Sequence, residues 1–180
     1  MTTLALAART PRTRALGILL AVGALALASQ LALPIPGTPV PITLQPLVVV
    51  LAGLLLGPAD AAMAMVAYLV AGMAGLPVFA PIGAPGIARL LGPTGGYLLA
   101  YPVAAAVAGR FGAGKPSYVT RALAAAAGIL VLYLGGLAQL AVISGSLARA
   151  ALLGVIPFVA ADAVKALVAA ALSGTRRGSV

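Results

Sequence analysis

Six apolar runs divide this chain, at approximately 15–33, 44–57, 59–76, 95–108, 122–141 and 155–172. Stretches rich in Pro and Gly separate several of them, chiefly 34–41, 77–93 and 110–116. Proline lacks an amide donor and restricts the residue before it, so such stretches end helices. A helix needs about 20 residues to cross a hydrocarbon core of about 30 Å. The second and fourth runs are short on that measure and are expected to extend into their flanks or to tilt less than their neighbours. Of 180 residues, 63% are hydrophobic and 7% charged, against about 25% charged in a soluble domain. Water could not solvate such a surface. The length suits one compact bundle. The fold expected is an all-α integral membrane protein, a six-transmembrane-helix bundle held in the lipid bilayer of a bacterial or archaeal cell membrane.

The basic residues orient that bundle. With the N- and C-termini cytoplasmic, Arg9, Arg12, Arg14, Arg110, Lys115, Arg121, Arg176 and Arg177 lie inside, while Arg89 and Arg149 lie outside. Lys165, embedded in the sixth run, completes the 11. Such a bias matches the positive-inside rule. The net charge of +9 does not point to nucleic acid, because the cations are dispersed between apolar runs rather than clustered on a polar face. Arg9, Arg12 and Arg14, followed by an apolar run and the triplet Ala26, Leu27 and Ala28, imitate a secretory leader with its cleavage site. The run continues through Leu33, so an uncleaved first helix is expected. The organisation is then a cytoplasmic tail at 1–14, a transmembrane substrate-binding domain at 15–172 and a second cytoplasmic tail at 173–180.

Most catalytic chemistries lack their residues here. The chain has no Cys and no His, and its acids are Asp60 and Asp162 alone. Disulfides, thiolate nucleophiles, His-dependent triads and zinc sites are excluded. The two carboxylates are expected near opposite membrane faces, too far apart to act as a pair. Asp60, beside Pro58, favours the start of its helix electrostatically. The segment from Gly109 to Lys115 matches the GxxxxGK part of a phosphate-binding loop, but Pro116 stands where Ser or Thr would hold Mg²⁺ and no predicted strand precedes it. A Gly-rich turn is the better reading. An enzyme, a cofactor and a metal are not expected.

Asp162 and Lys165 are the charges the membrane has to accommodate. Their spacing of three places them on one helix face. An ionisable group at the centre of a spanning helix costs about 2.5–3.5 kcal/mol on insertion scales, which marks it as a functional-site candidate. The plainer alternative is a self-neutralising pair that only assists helix packing. The sixth helix runs from outside to inside, so both residues fall in its outer half. Thr38, Thr43 and Gln45 come from the first external segment, and Phe79, Arg89, Thr94 and Tyr97 from the second. Taken singly, Thr38 and Thr43 read as turn stabilisers and Tyr97 as an interfacial anchor. Together they supply the convergent polar groups on an apolar lining that a small-molecule pocket needs. On the first helix Gly17 and Ala21, then Ala24 and Ala28, are small residues four apart. They permit close helix approach, either within the bundle or to a partner.

Four segments carry a resemblance. Thr38-Pro-Val-Pro-Ile-Thr-Leu-Gln45, Gly75-Leu-Pro-Val-Phe-Ala80, Gly92-Pro-Thr-Gly-Gly-Tyr-Leu98 and Asp162-Ala-Val-Lys165 resemble, in order and over nearly the whole chain, the successive signatures of BioY. BioY proteins are biotin-binding S components of energy-coupling factor (ECF) transporters. The resemblance implies a six-helix bundle with an outward-facing pocket, capped by the loop between the first two helices. It implies a membrane T component and a pair of cytoplasmic ATPases as partners, met through the small residues Gly17, Ala21, Ala24 and Ala28. With biotin as ligand, Asp162 would accept from the ureido N–H groups, and Thr43, Gln45 or Tyr97 would donate to the ureido carbonyl. Arg89 would grip the carboxylate with two hydrogen bonds, and Lys165 would act as a point charge there or as the counter-ion of Asp162. Phe79 and Tyr97 would pack on the ring and chain. Other readings are an S component for a different small anionic vitamin, a solitary proton-coupled carrier, and a purely structural membrane subunit.

Overall fold

The computed structural model of the protein describes residues 10–174. The tail cations Arg9, Arg176 and Arg177 lie outside the described residues. The described chain is helical, with one isolated antiparallel bridge between Leu33 and Ile42. Helix α1 spans Pro11–Gln30 and starts at Thr10, whose side chain accepts the Thr13 N–H. Helices α2 (Gln45–Leu56) and α3 (Pro58–Met73) are joined by Gly57 alone. That joint needs a φ of 86°, which glycine adopts without a Cβ penalty. A four-residue helix, α4 (Ala88–Leu91), interrupts the Pro/Gly-rich stretch before α5 (Gly95–Gly112). Helix α6 (Tyr118–Ser144) is capped by Ser117 and ends on left-handed Gly145. Helix α7 (Leu147–Gly154), a 3-10 turn (Ile156–Phe158) and α8 (Val159–Gly174) complete the order.

The fourth run extends into its flank as expected, forming 18 helical residues that continue through Pro102. One expectation changes. The last run, read as one stretch from Val155, begins instead with a break. Pro157 cannot donate to the carbonyl four residues earlier, so the helical axis is interrupted at 155–158 and the short helix α7 occupies what was read as external loop.

The long helices alternate in direction. The Arg14 guanidinium at the start of α1 holds Asp60 at the start of α3, with its Nη2 2.6 Å from Oδ1. This carboxylate therefore has a partner 46 residues away, in addition to its place in the first turn of α3. Arg121, buried at the start of α6, donates to the carbonyls of Ala170 near the end of α8 and of Lys115 and Pro116 in the preceding turn. Helix α5 is central, packing on α2, α3, α4 and α6. Gly96 of α5 and Gly135 of α6 face each other so closely that a Cβ on either would meet the other's backbone carbonyl, the small-residue crossing by which helices approach without bulky side chains. Tyr68, Met65, Val49, Tyr101 and Leu132 form the main core.

The outer surface is apolar. Leu16, Leu20 and Leu27 of α1, Val103 of α5 and Leu123, Leu130 and Leu134 of α6 are all exposed. By length and composition Pro11–Gln30, Tyr118–Ser144 and the stretch Leu147–Gly174 can each cross a membrane, with shorter apolar helices at Gln45–Leu56 and Pro58–Met73. This is a membrane protein.

Candidate ligand-binding site

Asp162 lies in the first turn of α8, where the helix N-terminus favours a negative charge. Lys165 stands one turn later, its Nζ 2.7 Å from Asp162 Oδ1. From α6 the Tyr133 hydroxyl donates to Oδ2, also at 2.7 Å. Asp162 is only 4% exposed and Lys165 only 8%, so both oxygens of a buried carboxylate are engaged by donors from two helices. Charge-assisted bonds of this kind are among the stronger ones in proteins. Tyr133 was not among the residues singled out from the sequence. A lone tyrosine in the middle of an apolar run was the available signal.

These groups line one open-mouthed cavity, with few polar groups on a mostly apolar lining, as small-molecule sites have. The loop 31–44 contributes Val40, Pro41 and Thr43, and α2 contributes Gln45 and Pro46. Phe79, Ala80 and Arg89 come from the segment before α5, and Thr94, Tyr97, Leu98 and Tyr101 from the start of α5. Leu132 and Tyr133 of α6 and Phe158, Asp162 and Lys165 close the remaining side. All seven residues expected around a ligand, Asp162, Lys165, Arg89, Thr43, Gln45, Phe79 and Tyr97, therefore face the same space. Tyr101, one turn beyond Tyr97 on the same helix face, joins them.

Several of those polar groups also hold the walls in place. Thr43 accepts the Gln45 N–H and donates to its Oε1, both at 3.3 Å. Gln45 Nε2 donates to the Tyr68 hydroxyl at 2.9 Å, which donates to the Val78 carbonyl at the same distance. Ser29 and Gln30 at the end of α1 donate to the carbonyls of Val78 and Phe79. Phe79 is thereby set edge-on to Tyr68, with ring centroids 5.4 Å apart, over Gly72, where a Cβ would strike the ring. The Tyr97 hydroxyl donates to the Gly154 carbonyl.

Arg89 differs from its expected role. Nη1 and Nη2 donate to the carbonyls of Ile82 and Ala80, so the two-pronged face of the guanidinium holds its own loop. Gln139 of α6 fixes the same segment by donating to the carbonyls of Leu90 and Gly92, at 2.8 and 2.7 Å. Nε of Arg89 is buried without a hydrogen-bond partner. Burial lowers the guanidinium's pKa from its ordinary value, although the group stays charged in proteins. Two of the five guanidinium N–H groups are thereby engaged by loop carbonyls.

The small residues of α1 separate by face. Ala28 is buried, Ala21 packs on the core, and Gly17 faces Leu56 of α2, whereas Ala24 is exposed. Three of the four pack within the chain, and Ala24 is the one of them that faces outward.

Comparison with known proteins places this arrangement. The chain is 44% identical to a probable biotin transporter BioY of Pyrococcus horikoshii over 141 residues, spanning 78% of this chain and 83% of that protein. A biotin transporter BioY of Thermotoga maritima is 36% identical over 139 residues, 77% of this chain and 82% of its own length. A crystal structure of the S-component for biotin from an ECF-type ABC transporter shares the fold, with a TM-score of 0.84 over 96% of both chains at 24% identity. The model of the BioY family matches residues 3–179, and the chain belongs to that family.

Proposed function

We propose that this protein captures biotin at the outer membrane face as the S component of an ECF-type transporter. The observation that carries the reading is the Asp162 carboxylate at the cavity wall. An ionised carboxylate offers about four lone-pair sites. Lys165 and Tyr133 take two, which leaves acceptors for the N–H groups of a ureido ring. Phe79, Tyr97, Leu98 and Leu132 supply an apolar lining for the rest of the ligand. Arg89, on the cavity lining, contributes positive charge toward a carboxylate.

In this reading the bundle crosses the membrane six times with both ends cytoplasmic. Arg12, Arg14, Arg110, Lys115 and Arg121 gather at the end where α1, α3 and α6 begin, and the cavity, Arg89 and Arg149 lie toward the other, as the positive-inside rule requires. The cavity then opens outward. Energy comes from a separate membrane T component and its cytoplasmic ATPases, since the chain's own GxxxxGK segment runs into Pro116. The exposed face of α1 around Leu20, Ala24 and Leu27 is the docking surface for that T component. Titration of the purified protein with radiolabelled biotin tests the reading. Saturable binding that Asp162→Asn weakens supports it, and absence of saturable binding refutes it.

A further inference from the structure

The break between α7 and α8 leaves two backbone carbonyls without helical partners. Pro157 has no N–H for the Leu153 carbonyl four residues earlier. The Phe158 N–H, which a continuous helix would give to Gly154, bonds the Val155 carbonyl at 3.0 Å instead. Away from water such carbonyls have to find other donors. Both do, through hydroxyls that line or roof the cavity. Thr38 Oγ1 donates to the Leu153 carbonyl at 2.6 Å, across 115 residues of sequence, and the Tyr97 hydroxyl donates to Gly154.

Thr38 belongs to the loop 31–44 that contributes Val40, Pro41 and Thr43 to the cavity. Its Oγ1 also accepts the Val40 N–H at 3.1 Å, and Val40 packs with Leu140, Ala150 and Phe158 around the break. A local turn accounts for the bond to Val40. It does not account for the bond to Leu153, which ties the loop to the far wall.

We propose that the Pro157 break is the seat of a latch. The Thr38 hydroxyl, held on the carbonyl that Pro157 leaves open, keeps the loop 31–44 closed over the cavity and sets how long a ligand remains inside. Thr38 and Pro157 are positioning residues, since neither need touch the ligand. The inference rests on the cavity being the ligand site.

Three variants test it. Thr38→Val keeps the shape and removes the donor. Pro157→Ala restores an N–H that competes for the Leu153 carbonyl. Thr38→Ser keeps the hydroxyl. Thr38→Val and Pro157→Ala are each expected to speed dissociation of radiolabelled biotin about tenfold, the scale of one lost hydrogen bond with its partners stranded, with little change in association. The double variant should be no faster than the faster single, because both break the same contact, and Thr38→Ser should release biotin as the parent protein does. A second readout does not need biotin. The chain has no Cys, so Pro41→Cys places a single thiol in the loop, and its maleimide labelling in ligand-free protein should accelerate when Thr38→Val is added. Unchanged labelling and dissociation in Thr38→Val, or multiplying effects in the double variant, overturn the latch. Should the parent protein bind no biotin, the functional reading fails and the labelling rates alone decide the latch.

Discussion

In Asp162→Asn, the carboxylate that receives both the Lys165 ammonium and the Tyr133 hydroxyl becomes an amide of nearly the same shape. Two effects follow, and the structure separates them. A hydrogen bond from a ligand N–H to a charged acceptor is worth about 1.5–3 kcal/mol. At about 1.4 kcal/mol per tenfold, its loss weakens biotin binding by roughly 10- to 150-fold. The second effect acts on the fold. Lys165 is 8% exposed and its Nζ is 2.7 Å from Asp162, so neutralising Asp162 strands a buried charge. Breaking a buried pair from one side costs about 3–5 kcal/mol, whereas replacing both partners with neutral groups is often close to neutral. The amide oxygen can still accept from Lys165, which places this substitution at the lower end. The Asp162→Asn/Lys165→Met double variant should therefore recover thermal stability lost by the single variant without recovering affinity. Equilibrium binding of radiolabelled biotin suits the assay, because the chain contains no Trp to report by fluorescence. Parental affinity in the single variant, or affinity that returns in the double variant, would show that the Asp162 carboxylate does not hold the ligand.

Three further substitutions probe the remaining walls. Tyr133→Phe, which frees one oxygen of Asp162, should weaken biotin binding by about 3- to 10-fold, and unchanged affinity would make the Tyr133 bond a packing contact only. Arg89→Ala should narrow the preference for biotin over its uncharged amide in competition assays. An equal loss for both ligands would assign Arg89 wholly to holding Ala80 and Ile82. Ala24→Trp should abolish pull-down of the T component while sparing biotin binding, whereas Ala21→Trp, which points into the bundle, should lower the melting temperature. Intact assembly by Ala24→Trp would exclude that face.

The helices were legible where proline and glycine punctuate apolar runs, as at Gly57 and Pro58 between α2 and α3 and at 110–116 before α6. The cavity residues were legible as unusual residues in apolar surroundings. Asp162, Lys165 and Arg89 are costly there and stand out against the sequence around them. What stayed hidden depended on partners distant in sequence. Asp60 looked like a helix-start charge because Arg14 is 46 residues away. Tyr133 looked like one more span residue until α6 packed against α8. The grip of Arg89 on the carbonyls of Ala80 and Ile82 could not be read from residue types, since backbone acceptors are the same in every residue. Helix α7 was missed for a related reason, because its separation from α8 lies in one absent proline donor rather than in a change of composition.

Equilibrium titration of the purified, unmodified protein with radiolabelled biotin is the most direct test of biotin capture by this cavity. One saturable site per chain, from which unlabelled biotin displaces the label, is expected. Binding that fails to saturate, or that unlabelled biotin does not displace, would contradict it.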